Sequence, residues 1–137
     1  MQVLTPAAIY FVVVFTAGFV FGTVRVLWVA PRMGARVAEL LELPFMLVVI
    51  VYAARWIHFR FLAHVHQPTR ALVGILALLF LLVAEVALGV TLRGLSLKEA
   101  LISRDPVSGT AYYLSLCVFA LMPCWLGRKA RLMEAGR

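Results

Sequence analysis

Residues 71–92, ALVGILALLFLLVAEVALGVTL, decide the fold. A hydrocarbon core about 30 Å thick takes about 20 apolar residues of α-helix at about 1.5 Å each, and this stretch supplies them. One carboxylate, Glu85, stands inside it. An acid at that depth costs about 2.5 to 3.5 kcal/mol on insertion scales, so Glu85 is expected to face protein or water and to have a partner.

Working outward, the composition places the rest of the chain in the same solvent. Hydrophobic residues make up 64% of the 137, charged residues 14%, and the mean hydropathy is +1.01, far from the values of soluble domains. Three further apolar runs complete the set. The expected fold is an all-α integral membrane four-helix bundle, two consecutive helical hairpins with spans at about 6–30, 44–61, 71–92 and 106–126, followed by a basic cytoplasmic tail at 127–137. Spans and short connections leave one transmembrane domain and no room for a soluble catalytic domain. The net charge of +7 is spread over the ends of the apolar runs rather than gathered in one patch. It reads as topology signals and headgroup contacts, not as a nucleic-acid surface. The expected partners are membrane lipids and either a second copy of the chain or a larger membrane complex, with no nucleic acid. Eleven of the thirteen basic residues are Arg, a compositional hint of a GC-rich bacterial genome.

In the first span, Thr5 is the expected N-cap and Pro6 the first helical residue. The segment before it, MQVLT, has no Lys or Arg, which argues against a cleavable signal peptide. Gly18, Gly22 and Arg25 fall on one helical face, and that face should meet another helix. The connection PRMGARVAELLELP (31–44) is expected to lie at the membrane surface, as a short amphipathic helix or a solvated loop, with Glu39 and Glu42 near the outer ends of the helices. Trp56 with Arg55 and Arg60 close the second span as interface anchors. His58, His64 and His66 lack a nearby Cys or carboxylate in sequence, so neither a metal site nor a haem is expected, and no cofactor. Cys117 and Cys124 share a helical face about 10 Å apart, too far to bridge, and read as small packed apolar residues. Asp105 is the expected N-cap of the last span, with Tyr112, Tyr113 and Trp125 marking its two interfaces. A faint repeat relates the halves: a glycine follows each odd span, Gly34 and Gly94, and a glutamate stands five residues on, Glu39 and Glu99.

Lys and Arg number seven on the face holding both termini and six on the other, a narrow bias toward cytoplasmic ends. The first and third spans then run in parallel, with Arg25 about 7.5 Å and Glu85 about 10 Å from their outer ends. Glu85 shares its face with Gly74 and Gly89, as Arg25 does with Gly18 and Gly22. The expectation is an intramembrane ion pair between Arg25 and Glu85 across a seam of small residues.

The stretch GFVFGTVRVLWVAPRMG (18–34) with ELLELPFML (39–47) resembles a family of small four-span bacterial inner-membrane proteins to which no activity is attached. The resemblance implies a bacterial inner-membrane location and nothing about chemistry. In size and in its single membrane glutamate the chain is also similar to small multidrug transporters, whose glutamate lies in the first span, where this chain carries Arg25. No Ser, His and Asp set, phosphate loop or paired Cys motif is present to support enzyme chemistry. The expected function is a non-enzymatic accessory, assembly, or lipid- or partner-binding membrane protein. The alternative is a small oligomeric transporter or channel using Glu85 as a proton or cation site.

Overall fold

The computed structural model describes residues 3–94, 96–102 and 106–137, and these are helical almost throughout. Helix α1 (Leu4–Val24) runs through a π-helical turn at Arg25–Val29 into the short α2 (Ala30–Met33). Helix α3 (Ala35–Ile57) likewise ends in a π turn at His58–Leu62. Helix α4 spans Gln67–Arg93, α5 is Leu97–Ile102, and α6 is Pro106–Ala135. Among the described residues, four stretches, Leu4–Met33, Ala35–Leu62, Gln67–Leu92 and Gly109–Ala135, are long and apolar enough to cross a membrane. This is the build of a multi-pass membrane protein, an all-α four-helix bundle.

The boundaries differ from expectation at both ends of the hairpins. The connection at 31–44 is helical, as one of its two expected forms has it, but it is not a separate element, since α3 begins at Ala35 and runs through it. Gly34 alone separates α2 from α3, with φ 87° and ψ 157°, a conformation open essentially only to glycine. Pro44, expected to open the second span, lies inside α3, where its missing N–H costs one intrahelical bond to the Leu40 carbonyl. Thr5 is inside α1 rather than capping it, since the helix starts at Leu4. The basic tail is not separate either, because α6 continues to Ala135 with Pro123 buried inside it. The expected cap Asp105 lies outside the described residues.

Helix α1 packs on α3 and α4, and α6 packs on the same two. The four spans therefore form a ring in which each hairpin lies beside the other. Tyr10 of α1 reaches across the middle: its hydroxyl donates to the Phe119 carbonyl of α6 at 2.9 Å, and the two rings stack at 4.4 Å. Around this clamp lie Val14, Ile50, Ile57, Val73 and Ala77, all buried. Lipid tails are as apolar as the helix surfaces, so close packing and internal polar contacts, rather than exclusion of water, bring the helices together.

The glycines act separately rather than as one seam. Gly74 brings α4 against the backbone of α6, where a Cβ would collide with the Ala120 carbonyl. Gly18 faces α3, its Cβ position lying 3.4 Å from the Met46 methyl. Gly94 ends α4 at φ 62°, a left-handed C-cap suited to glycine. Beyond it, the Ser96 N–H donates to the Glu99 carboxylate at 2.9 Å and the Glu99 N–H to the Ser96 hydroxyl at 3.3 Å, a capping box for α5.

Two outcomes follow from these contacts. Gly74→Ala should destabilise the protein by about 1 to 3 kcal/mol, since backbone must move, whereas Gly18→Ala meets only a flexible methionine tip and should be close to neutral; thermal unfolding in a mild detergent separates the two. The bonds from Ser96 hold the Glu99 carboxyl below the usual carboxylate range. Its support of α5 is therefore complete above the ordinary carboxylate value and is lost as the pH falls through the lowered one, which amide exchange at residues 97–102 against pH will read.

Candidate functional site: a charged cavity between the four spans

A helical hairpin closed by one residue sets its own register. Arg25 stands nine positions before Gly34, Glu42 eight after and Glu39 five after, so all three fall at comparable depth, about 8 to 14 Å from the turn. The Arg25 guanidinium forks onto both acids, Nη1 to Glu39 Oε1 at 3.3 Å and Nε to Glu42 Oε2 at 3.2 Å. The arginine side chain is 20% exposed and that of Glu42 16%. Among the described residues, these two acids are the ion-pair partners of Arg25.

The expected pair of Arg25 with Glu85 is thus corrected. Glu85 accepts a hydrogen bond from the Tyr112 hydroxyl of α6. Glu39 and Glu42 lie near the Gly34 end of the helices and, carried by the first part of α3, turn toward Arg25. The two charged residues are nonetheless equivalent positions, each nine residues before the positive-φ glycine of its hairpin, Gly34 or Gly94. Each is answered by the returning helix of its own hairpin rather than by the other hairpin. Tyr112, expected as an interface anchor, is drawn inward by this bond. Tyr113 remains half exposed, its ring 5.6 Å from that of Tyr112 in an edge-on arrangement.

Arg25, Glu39, Glu42, Glu85 and Tyr112 all line one cavity of about 480 Å³ bounded by α1, α3, α4 and α6. Its inner end reaches Val14, Ile50 and Phe119, the last being the residue held by Tyr10. Thr23, Val26, Leu27 and Leu92 also line it and are exposed, so it reaches the surface at the Gly34 end. Gly18, Gly22 and Gly89 contribute walls without side chains, and the Cβ position of Gly22 is 4.0 Å from Arg25 Nη2. The volume is that of a small-molecule pocket, with few polar groups set in apolar walls. The π turn that begins at Arg25 belongs to a class of helix defect frequent at functional sites.

A second polar cluster occupies the opposite end and was not foreseen. Arg70, counted as an interface charge, is buried at 4% exposure. Its Nε and Nη2 donate to the Leu62 carbonyl at 3.1 and 2.8 Å, and Nη2 also to that of Ala63 at 3.1 Å. These are the carbonyls a helix end leaves without donors. Gly127 of α6 closes directly on the guanidinium, leaving no space there for a Cβ. His58 is buried beside it, and the Cys124 thiol donates to Gln67 Oε1 at 3.3 Å. Cys124 is thus partly polar in role and Cys117 is exposed, so the pair is not simply packed as expected. In the sequence this end shows only as basic residues at the ends of the apolar runs, which name no partner for Arg70. His64 and His66 are exposed, and among the described residues no group of three or more His, Cys, Asp and Glu is arranged to hold a metal.

Arg25→Gln removes the guanidinium that Glu39 and Glu42, one helical turn apart on α3, share. It should cost about 3 kcal/mol, the range for breaking a largely buried pair from one side, and Arg25→Gln combined with Glu39→Gln and Glu42→Gln should recover most of that loss. Glu85→Gln in the Arg25→Gln background should recover nothing. Unfolding midpoints in detergent give all three comparisons. Comparison of the chain with protein-family models, with curated proteins and with solved structures finds no match, so function is read from this geometry.

Proposed function

We propose that the protein is a non-enzymatic, multi-pass protein of the bacterial inner membrane that binds a small ligand or lipid between its helices, with both termini in the cytoplasm. The observation that carries the reading is the cavity of about 480 Å³, bounded by all four spans and holding four charged side chains at one end. A bundle serving only as scaffold gains nothing from such a space, because unfilled volume forfeits packing contacts. The orientation rests on the basic residues. Arg70 and Arg25 are both turned inward and leave the topology count, one from each side, which keeps the bias as narrow as before at six to five.

Native mass spectrometry of protein extracted with its own lipids tests the reading. A bound species should accompany the unaltered protein and be lost in both Met46→Trp and Val86→Trp, which fill the cavity from α3 and α4, with circular dichroism showing that the variants remain helical. Retention of the species in both filled variants, or no bound species at all, would overturn it. Transport of the same ligand is the second reading, favoured by an acid standing in a cavity that reaches the surface. Flux of the bound species across sealed vesicles separates carriage from binding.

A further inference from the structure

Charge is divided unequally between the two ends of the bundle. The end that holds both termini carries seven basic residues and one acid, Glu134, whereas the Gly34 end carries six basic residues and five acids. A net charge of +6 thus stands at one end and +1 at the other. At the Gly34 end, Arg25 is answered from within the chain by Glu39 and Glu42. At the opposite end Arg70 turns inward onto carbonyls, while Arg55, Arg60, Arg128, Lys129 and Arg131 are exposed. Among the described residues none of these five forms an ion pair.

The Arg70 guanidinium, bonded to the Leu62 carbonyl and covered by Gly127, ties the end of α3 to α6, so the exposed cations of both helices belong to one end of the bundle. Aromatic rings are interleaved with them. Arg55 lies over Phe59 at 6.0 Å and Lys129 over Trp125 at 5.5 Å, and Phe59, Trp125 and Trp56 are each more than half exposed. A tryptophan closing a span sits at headgroup level, and Lys129, one helical turn beyond Trp125, stays within reach of lipid phosphates.

We infer that this end, along α3 and α6, binds anionic phospholipid. The headgroup phosphate is held by Arg55, Arg60, Arg128 and Lys129, and the acyl chains lie against Trp56, Phe59 and Trp125. An anionic leaflet attracts clustered Lys and Arg side chains roughly additively, whereas a zwitterionic headgroup brings its own ammonium to the same cations. An acidic soluble protein would answer the charges but not the rings, which a lipid covers with its chains. None of these seven residues lines the cavity between the spans, so the site is independent of the ligand proposed there.

The test is native mass spectrometry of delipidated protein in uncharged maltoside, titrated with equimolar phosphatidylglycerol and phosphatidylcholine of identical acyl chains. Phosphatidylglycerol adducts should be favoured about tenfold or more on the unaltered protein, since each nearby cation contributes about fivefold. The preference should fall in Arg55→Gln with Arg60→Gln and in Arg128→Gln with Lys129→Gln, and persist in Arg32→Gln with Lys98→Gln, which removes the same charge from the other end. Equal adducts of the two lipids on the unaltered protein, a reading that needs no variant to fold, overturn the inference. So does saturable binding of polyglutamate without a phosphatidylglycerol preference, which assigns the end to an acidic protein. Retention of the preference in either double variant of the basic end, or equal loss in all three, overturns the placement. The preference should also survive Met46→Trp and Val86→Trp; its loss in both assigns the lipid to the cavity and overturns a separate site, while leaving the cavity reading intact.

Discussion

Arg25 is held by two carboxylates from the next helix, and that fork depends on a one-residue turn. Gly34 reverses the chain in a backbone conformation closed to other residues, so α3 starts at once and its first turns pass Arg25 at matching depth. A longer connection would have carried Glu39 and Glu42 into the interface. The guanidinium would then have lost both of its acids, at a cost of several kcal/mol. The second hairpin has the longer connection, including α5, and its charged residue, Glu85, accepts a hydrogen bond from a tyrosine of the returning helix.

The polar contacts that hold the bundle fall at three levels. At the Gly34 end are the Arg25 fork and the Glu85 bond. In the middle, Tyr10 fastens the diagonal pair of helices through the Phe119 carbonyl. At the far end, Arg70 satisfies the terminal carbonyls of the α3 π turn, under Gly127. In a medium where lipid competes equally for apolar surface, such contacts fix register where packing alone would permit sliding. They also explain the placement of glycine. Gly74 and Gly127 stand where a helix backbone or a guanidinium comes too close for any side chain.

The cavity follows from the same arrangement. Between the Tyr10 and Phe119 clamp and the Gly34 end, the walls include three glycines, and Val20 of α1 at this level is exposed and does not line the space. What remains inside is apolar at depth and charged near the mouth. That gradient exists because both charged residues occupy the same place in their respective hairpins, nine residues before a positive-φ glycine.

The sequence by itself determined the solvent, the number of spans and the hairpin order, because apolar run length is a local property that a bilayer reads directly. It also marked Arg25 and Glu85 as the residues needing partners, since a charge inside such a run is costly wherever its neighbours lie. Pairing them with each other failed for a physical reason. The choice among Glu39, Glu42, Glu85 and Tyr112 depends on where the turn falls and which way each helix face rotates, and a single residue of turn length changes both. Pro44 read as a helix start because proline favours first turns, yet α3 carries it internally at the loss of one hydrogen bond. Only the tertiary structure turned Arg70 and Tyr112 inward and opened the space between the helices: Tyr112 meets Glu85 27 residues away, and Arg70 folds back onto the Leu62 and Ala63 carbonyls under Gly127 of another helix, contacts that no periodicity encodes.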